Sequence, residues 1–252
     1  MTQFALELEY DGRAFVGWQR QKVGISVQGV IEAAASHLVG GAPVPVVTAG
    51  RTDSGVHAAA QVVGMKLQRD ITPSKLAEAL NYHMRPHLVV VLRAAVVADN
   101  WSARFSAVGR RYRYRILNRA ARPGLLQGQV WHVAKPLDVD LMATAAAALV
   151  GTHDFTSFRA TACQAKSPVR TLERLDVTHH GDIIEFETAG RSFLHHQVRN
   201  MVGSLKLVGE GRWPVAAIAT ALAARARSAG GPTAPAEGLC MMGVDYPIDP
   251  FS

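Results

Sequence analysis

The chain has 252 residues, of which 48% are hydrophobic and 19% are charged. This balance is typical of a folded globular protein and excludes a largely disordered chain. No window approaches the roughly 18 consecutive apolar residues of a membrane span, and the first ten residues lack the pattern of a signal peptide, so we expect a cytoplasmic protein. Cys163 and Cys240 lie outside any Cys-x-x-Cys pair, which argues against a disulfide framework or a zinc site.

Positive charge is concentrated in two stretches of the chain. Lys and Arg exceed Asp and Glu by 27 to 20, for a net charge of +7. Residues 100–137 hold eight cations and no acid, and residues 188–209 form a second window without acids. Cations interleaved with aromatic side chains suit phosphate contact and base stacking. The charge distribution therefore predicts a nucleic-acid partner.

The first half of the chain predicts the order β-α-β-β-α-β. Apolar residues alternate where we expect strands and recur at helical spacing where we expect helices, with Ser26 and Pro73 as start signals. The predicted elements are a strand at 4–10, a helix from 27 to the Gly40-Gly41 pair, strands at 44–49 and 58–65, a helix from Pro73 to His83, and a strand at 88–97.

The second half predicts β-α-β-β-α again, followed by one more helix and a closing strand. These elements are a strand at 110–117, a helix at 138–149, strands at 171–178 and 183–188, helices at 193–208 and 214–227, and a strand at 239–246. In the first of these strands the arginines fall on one face and the tyrosines on the other. We therefore expect two similar halves, residues 1–105 and 106–252, packed around a shared cleft.

The octapeptide from Gly50 to His57 displays a single carboxylate, Asp53, on a turn between two predicted strands. Taken alone, Thr-Asp-Ser-Gly is typical of an Asx-turn. It also resembles the short signature of aspartic proteases. That dyad needs a second aspartate, and Arg51 just upstream would keep the acid ionised instead of sharing a proton.

Other common sites receive no support from the sequence. No phosphate-binding or dinucleotide-binding glycine pattern follows a predicted strand. The pairs His179-His180 and His195-His196 are adjacent, and adjacent side chains point apart on a strand or a helix. We therefore expect no metal site.

Eight short motifs, in this order and spacing, resemble those of the tRNA pseudouridine synthase A family. They span most of the chain, from Glu9 to Leu239. The motifs are Glu9-Tyr10-Asp11-Gly12, Gly17-Trp18-Gln19-Arg20-Gln21, Gly50 to His57, Ala103-Arg104-Phe105-Ser106-Ala107, Arg111-Tyr112-Arg113-Tyr114, His153 to Ala160, Val198-Arg199-Asn200 and Ala236-Glu237-Gly238-Leu239.

The resemblance implies an α+β pseudouridine synthase fold, with two similar halves around a central, mostly antiparallel sheet and the active-site cleft between them. It implies a homodimer that converts uridine to pseudouridine at positions 38, 39 and 40 of the tRNA anticodon arm. The reaction of this family uses neither a metal nor an organic cofactor.

Residue by residue, the resemblance implies a role for five side chains. Asp53 is the nucleophile that attacks the target uridine, and Arg199 pairs with its carboxylate. Tyr112 packs against the target base and helps to remove the C5 proton, while Arg51 supports the flipped base. Leu239 forms an apolar wall of the uracil pocket.

The basic strand adds a predicted RNA surface, in which Arg110, Arg111 and Arg113 contact phosphates. Two alternatives remain open for the whole chain. A protease would need the Asp53 carboxylate but not the cationic face of residues 110–115. A non-catalytic tRNA-binding or chaperone protein would need the same cations but would not need Asp53.

Overall fold

The computed structural model describes residues 1–252, and the chain folds into two compact units. The first unit comprises Met1–Arg110 together with Met241–Ser252, and the second comprises Arg111–Cys240. The sequence pattern grouped residues 106–252 together, whereas the last twelve residues pack with the N-terminal unit. None of the helices combines the length and the apolar composition needed to cross a lipid bilayer.

The first unit contains the predicted order β-α-β-β-α-β. Its elements are β1 (Thr2–Tyr10), α1 (Val27–His37), β2 (Val46–Thr48), β3 (His57–Leu67), α2 (Pro73–His83), β4 (Val89–Val96) and most of β10 (Leu239–Asp245). The strand order is β4-β1-β3-β10, and β2 pairs with β3. β1 runs antiparallel to both β3 and β4, with Leu6 opposite Val63.

Local signals explain where the two helices of this unit begin. The Ser26 side chain accepts a hydrogen bond from the Gly29 amide, and the Thr72 side chain accepts one from the Lys75 amide. Pro73 occupies the first helical turn after Thr72, where its missing N–H costs nothing. The apolar faces of both helices are buried, as their spacing predicts.

The second unit contains all or part of six strands, together with three helices. Its elements are β5 (Gly109–Asn118), which begins in the first unit, then β6 (Trp131–Val133), α3 (Val139–Ala146), β7 (Gly151–Asp154), β8 (Val169–His180), β9 (Ile183–Gly190), α4 (Gln197–Gly209), α5 (Ala217–Ala224) and the start of β10. The strand order is β5-β9-β8-β7, and β6 runs parallel to β5. Phe155, Phe158 and Phe186 are fully buried in this unit.

Together these elements confirm the predicted fold class. The protein is α+β, with a large and mostly antiparallel sheet and few helices. The sequence did not predict β6 and β7, which have only three and four residues. It also extended α5 too far, because the helix ends at Ala224 and Arg225 adopts a left-handed conformation.

α4 begins four residues later than predicted. His196 adopts a left-handed conformation (φ 62°) immediately before the helix, so the preceding residues form a turn. As a result, the rings of His195 and His196 lie together, with their centroids 4.1 Å apart. The expectation that these side chains point apart was therefore wrong, because it assumed a regular helix at this position.

Candidate active site

In the first unit, Asp53 lies on the loop between β2 and β3, which pair antiparallel. The loop turns because the Val56 amide donates to the Asp53 carbonyl (3.2 Å) and Gly55 adopts a positive φ of 80°. Exposure alternates along it: the Arg51 side chain is exposed, Thr52 is buried and Asp53 is half-buried. The carboxylate is therefore held at the surface of the unit and is not part of its core.

The start of this loop is fixed by its flanking strands. The Gly50 carbonyl accepts hydrogen bonds from the Thr48 hydroxyl (3.0 Å) and from the buried Gln61 amide (2.7 Å). One residue earlier, the Ala49 amide donates to the Val62 carbonyl (2.8 Å). These bonds leave the backbone before Asp53 little freedom to move.

The segment after β1 supports the residues on either side of Asp53. The Trp18 amide donates to the Thr52 carbonyl (3.0 Å), and the hydroxyls of Tyr10 and Thr52 are 2.7 Å apart. On the other side, the Ser54 hydroxyl donates to the Phe15 carbonyl (3.2 Å). Only the family resemblance marked this segment in the sequence, because the three contacts join residues 34 (52 − 18), 39 and 42 positions apart.

Two glycines let the segment approach the Asp53 loop closely. A Cβ at Gly12 would lie 2.1 Å from the Val56 carbonyl oxygen, which no side chain can do. Gly17 has a positive φ of 111°, and a Cβ there would lie 3.0 Å from the Thr52 carbonyl oxygen. The motifs around Tyr10 and Trp18 therefore need glycine at these two positions for a steric reason.

Asp11 adds a charged contact beside the loop. Its carboxylate accepts hydrogen bonds from the Arg13 guanidinium and backbone, and these bonds hold the pKa of Asp11 below its ordinary value. An oxygen of the same carboxylate lies 3.3 Å from Nδ1 of His57, which also accepts a hydrogen bond from the Gly12 amide. His57 is the first residue of β3, so this cluster fixes the end of the loop.

Arg110 differs from the exposed phosphate-binding residue that the sequence predicts. Only 8% of it is exposed, and its guanidinium donates to the carbonyls of Ala49 (2.8 Å), Arg104 (2.9 Å) and Ala107 (3.3 Å). Because Ala49 precedes the Asp53 loop, Arg110 joins the base of that loop to residues 104–107. The buried guanidinium is thus a structural element of the first unit.

In the second unit, β5 displays alternating side chains as predicted. Arg111 is exposed, and the half-buried Arg113 lies 3.8 Å from a carboxylate oxygen of Glu185. Tyr112 is half-buried, and its ring meets that of Phe193 edge to face, with centroids 5.1 Å apart. The strand thus separates a cationic face from an aromatic face.

Arg199 lies in the first turns of α4 and is fixed to the segment that precedes β10. Its Nε donates to the Ala234 carbonyl (2.8 Å), and the Ala234 amide donates to the Arg199 carbonyl (3.1 Å). The neighbouring Asn200 is fully buried and donates to the Phe158 carbonyl (2.8 Å). The Arg199 side chain is therefore held at its Nε.

Leu239 is buried at the start of β10, beside a tightly packed tyrosine. A Cβ at Gly238 would lie 2.5 Å from the ring of Tyr114, which is fully buried. The Tyr114 hydroxyl donates to the Pro235 carbonyl (2.8 Å), and burial raises the pKa of this tyrosine. This packing fixes the backbone that carries Leu239.

Comparison with known proteins shows which class of reaction this α+β protein catalyses. Residues 8–106 and 145–247 match the model of a family described as tRNA pseudouridine synthase. The chain is therefore an RNA-modifying isomerase. This class excludes the aspartic-protease reading of the octapeptide and the non-catalytic alternative.

Curated relatives identify the particular family. Proteins named tRNA pseudouridine synthase A from Acidiphilium cryptum, Gluconobacter oxydans and Rhodospirillum centenum are 60%, 55% and 56% identical to this chain. The alignments cover 100%, 100% and 95% of this chain and 99%, 92% and 97% of the relatives. The chain belongs to the tRNA pseudouridine synthase A family and isomerises uridine to pseudouridine in tRNA.

Proposed function

We propose that Asp53 is the nucleophile of this isomerisation and that the target uridines are those at positions 38, 39 and 40 of the anticodon arm. A carboxylate can bond to the nucleoside so that the glycosidic bond between N1 and the sugar breaks, after which the base turns. C5 of the base then bonds to the sugar, the bond to the carboxylate breaks, and the base loses the proton on C5 and gains one on N1. The half-buried Asp53, on a loop bonded on both sides, supports this assignment. A nucleophile acts efficiently only when its geometry is fixed before the substrate binds.

Four further side chains take the roles that the family resemblance implies. Tyr112 packs against the target base and takes part in removing the C5 proton, and Leu239 contributes an apolar wall for uracil. Arg199 is the partner of the catalytic carboxylate. Arg51, which is exposed beside Asp53, supports the base after it has left the stack; unstacking costs a few kcal/mol.

Arg111 and Arg113 are proposed to contact tRNA phosphates through the cationic face of β5. Their exposed and half-buried positions support this assignment, whereas the burial of Arg110 does not. Each lost phosphate contact should reduce the slope of log Kd against log salt by about 0.7 to 0.9. We further propose that the protein is a homodimer and acts in the cytoplasm, which size-exclusion chromatography with light scattering and cell fractionation would test.

Tritium release from tRNA labelled at uridine C5 tests the role of Asp53. We expect Asp53→Ala to abolish release while tRNA binding stays close to that of the wild type, because only the reacting group is lost. Asp70→Ala, which removes an exposed carboxylate from the same unit, is the matched control and should release tritium normally. Residual turnover together with a large fall in tRNA affinity would contradict the assignment.

Mapping the product on tRNA transcripts tests the target positions. Transcripts in which a single uridine remains at position 38, 39 or 40 should each yield pseudouridine at that position. A transcript with cytidine at all three positions should release no tritium. Release from that transcript would show that the enzyme acts elsewhere on tRNA.

Tyr112→Phe separates base packing from proton transfer. The phenyl ring preserves the edge-to-face contact with Phe193, so we expect normal folding and tRNA binding. Product formation should be impaired, because the hydroxyl is lost. Full activity of this variant would remove the proton-transfer role and leave only packing.

A further inference from the structure

An aromatic side chain is displayed to solvent on the loop between β4 and β5. Phe105 is 80% exposed, although large aromatic side chains are usually buried. The Arg104 guanidinium lies over its ring, with Cζ 5.4 Å from the centroid. Most of the ring remains open to solvent.

The loop that presents Phe105 is held in place by hydrogen bonds. The Ser106 amide donates to the Ser102 carbonyl (3.0 Å), and the Ser102 amide donates to the Ser106 hydroxyl (3.1 Å). The Phe105 amide itself lies 3.4 Å from the Ser102 hydroxyl, which accepts from it. The exposed ring therefore does not result from a loosely attached loop.

Two side chains from elsewhere in the unit also hold the loop. The Tyr246 hydroxyl donates to the Ala103 carbonyl (2.7 Å), and the buried Arg110 donates to the carbonyls of Arg104 and Ala107. Three carbonyls within five residues are thus bound by side chains of the same unit. A loop organised in this way keeps its aromatic tip in position before any ligand arrives, which lowers the entropy cost of binding.

We propose that Arg104 and Phe105 form a stacking platform for an unpaired base of the tRNA substrate, separate from the base that reacts. An aromatic face stacks on any nucleobase, and a neighbouring arginine adds a cation that attracts the RNA backbone. In the sequence, this loop lies within residues 100–137, which hold eight cations and no acid, a charge balance that complements RNA. This inference goes beyond the proposed function and rests only on tRNA being the substrate.

A second arginine–phenylalanine pair in the same unit has a structural role and can be compared with the pair at Phe105. The Arg93 guanidinium lies 4.7 Å from the centroid of Phe251, but Arg93 also forms an ion pair with Glu7 (2.6 Å). Phe251 is half-buried and packs against the hydrophobic cluster around Ala49. In this pair Arg93 is therefore neutralised by Glu7 and Phe251 is partly covered, and Phe251→Leu provides a matched control.

Equilibrium binding to two RNAs tests the platform: an unmodified tRNA transcript and a fully paired RNA duplex of similar length. We expect Phe105→Leu to weaken tRNA binding about tenfold, because base stacking on an aromatic ring is lost. Duplex binding should not change, because a duplex has no unpaired base to offer. Phe105→Trp should bind tRNA at least as tightly as the wild type, and Phe251→Leu should bind as the wild type does.

The salt dependence separates stacking from charge. The slope of log Kd against log salt should be the same for Phe105→Leu and the wild type, since no phosphate contact is removed. Unchanged tRNA affinity of Phe105→Leu, an equal loss on the duplex, or a Phe105→Trp variant as weak as Phe105→Leu would each overturn the proposal. Thermal melts of each variant confirm folding, and binding at equilibrium does not depend on which residue is the nucleophile.

Discussion

Replacing Arg110 by methionine should both destabilise the protein and slow its reaction. Methionine has a similar length but no donors, so the carbonyls of Ala49, Arg104 and Ala107 lose their guanidinium partner. The bonds to Ala49 and Ala107 are buried, whereas the bond to Arg104 is only partly buried. A buried polar group left without a partner costs about 1–3 kcal/mol, so the two buried carbonyls predict a loss of about 2–6 kcal/mol in the free energy of unfolding. In a protein of this size, 1 kcal/mol shifts Tm by about 2–4 °C, so that loss corresponds to about 4–24 °C in Tm.

The effect on the reaction follows from the position of Ala49, next to the loop that carries Asp53. A displacement of about 1 Å at a reacting group can cost about a hundredfold in rate. We therefore expect a fall in kcat, measured by tritium release at saturating tRNA and at a temperature where the variant is folded. Arg110→Lys should recover only part of the stability, because one ammonium group cannot reach all three carbonyls in the geometry of a guanidinium.

The neighbouring residue is the control for this experiment. Arg111 is exposed on the same strand, so Arg111→Met should change the free energy of unfolding by no more than about 0.5 kcal/mol. It should instead weaken tRNA binding and reduce its salt dependence. If Arg110→Met melts within about 2 °C of the wild type, or behaves like Arg111→Met in binding and salt dependence, the structural role assigned to the buried guanidinium is incorrect.

Two further predictions concern the packing and the charge around the site. Gly238→Ala should reduce the free energy of unfolding by about 1–3 kcal/mol and lower the activity, because the added Cβ displaces the ring of Tyr114 beside Leu239. Gly124→Ala is the control: an added Cβ there has no atom within 4 Å, so this variant should melt like the wild type. Asp11→Asn should destabilise the protein at pH 7. Because hydrogen bonds from Arg13 lower the pKa of Asp11 in the folded state, the wild type should be more stable than Asp11→Asn at every pH above the ordinary pKa of an aspartate. This difference in the free energy of unfolding should shrink as the pH falls through the folded-state pKa, which denaturation at pH 7 and pH 3 would show. A difference that grew at pH 3 would contradict the assigned ion pair.

Local signals in the sequence were sufficient to predict much of the secondary structure. The helices that begin after Ser26 and at Pro73 start where predicted, because the signals that start a helix depend on contacts within a few residues. The start of α4 was missed, since apolar spacing continues through the residues before it and does not reveal the left-handed His196. Short strands such as β6 lack enough residues to show a period.

The candidate site shows the same division between local and distant information. The position of Asp53 on a turn between strands could be predicted from the octapeptide and the apolar runs on either side of it. The burial of Arg110 could not, because two of its partners are near in sequence but Ala49 is 61 residues away. Alternation along β5 describes which face a side chain occupies, but it cannot show what the rest of the unit places against that face.

The discontinuous first unit has a consequence for biosynthesis. Residues 241–252 leave the ribosome only after the whole second unit, yet they supply the Tyr246 hydroxyl for Ala103 and the Asp245 carbonyl for the amide of Val108. A nascent chain released shortly before this segment would contain Asp53, Tyr112, Arg199 and the entire basic strand. It would nevertheless lack the contacts of Tyr246 and Asp245 with the loop that carries Phe105, so translation must continue into this segment before the N-terminal unit is complete.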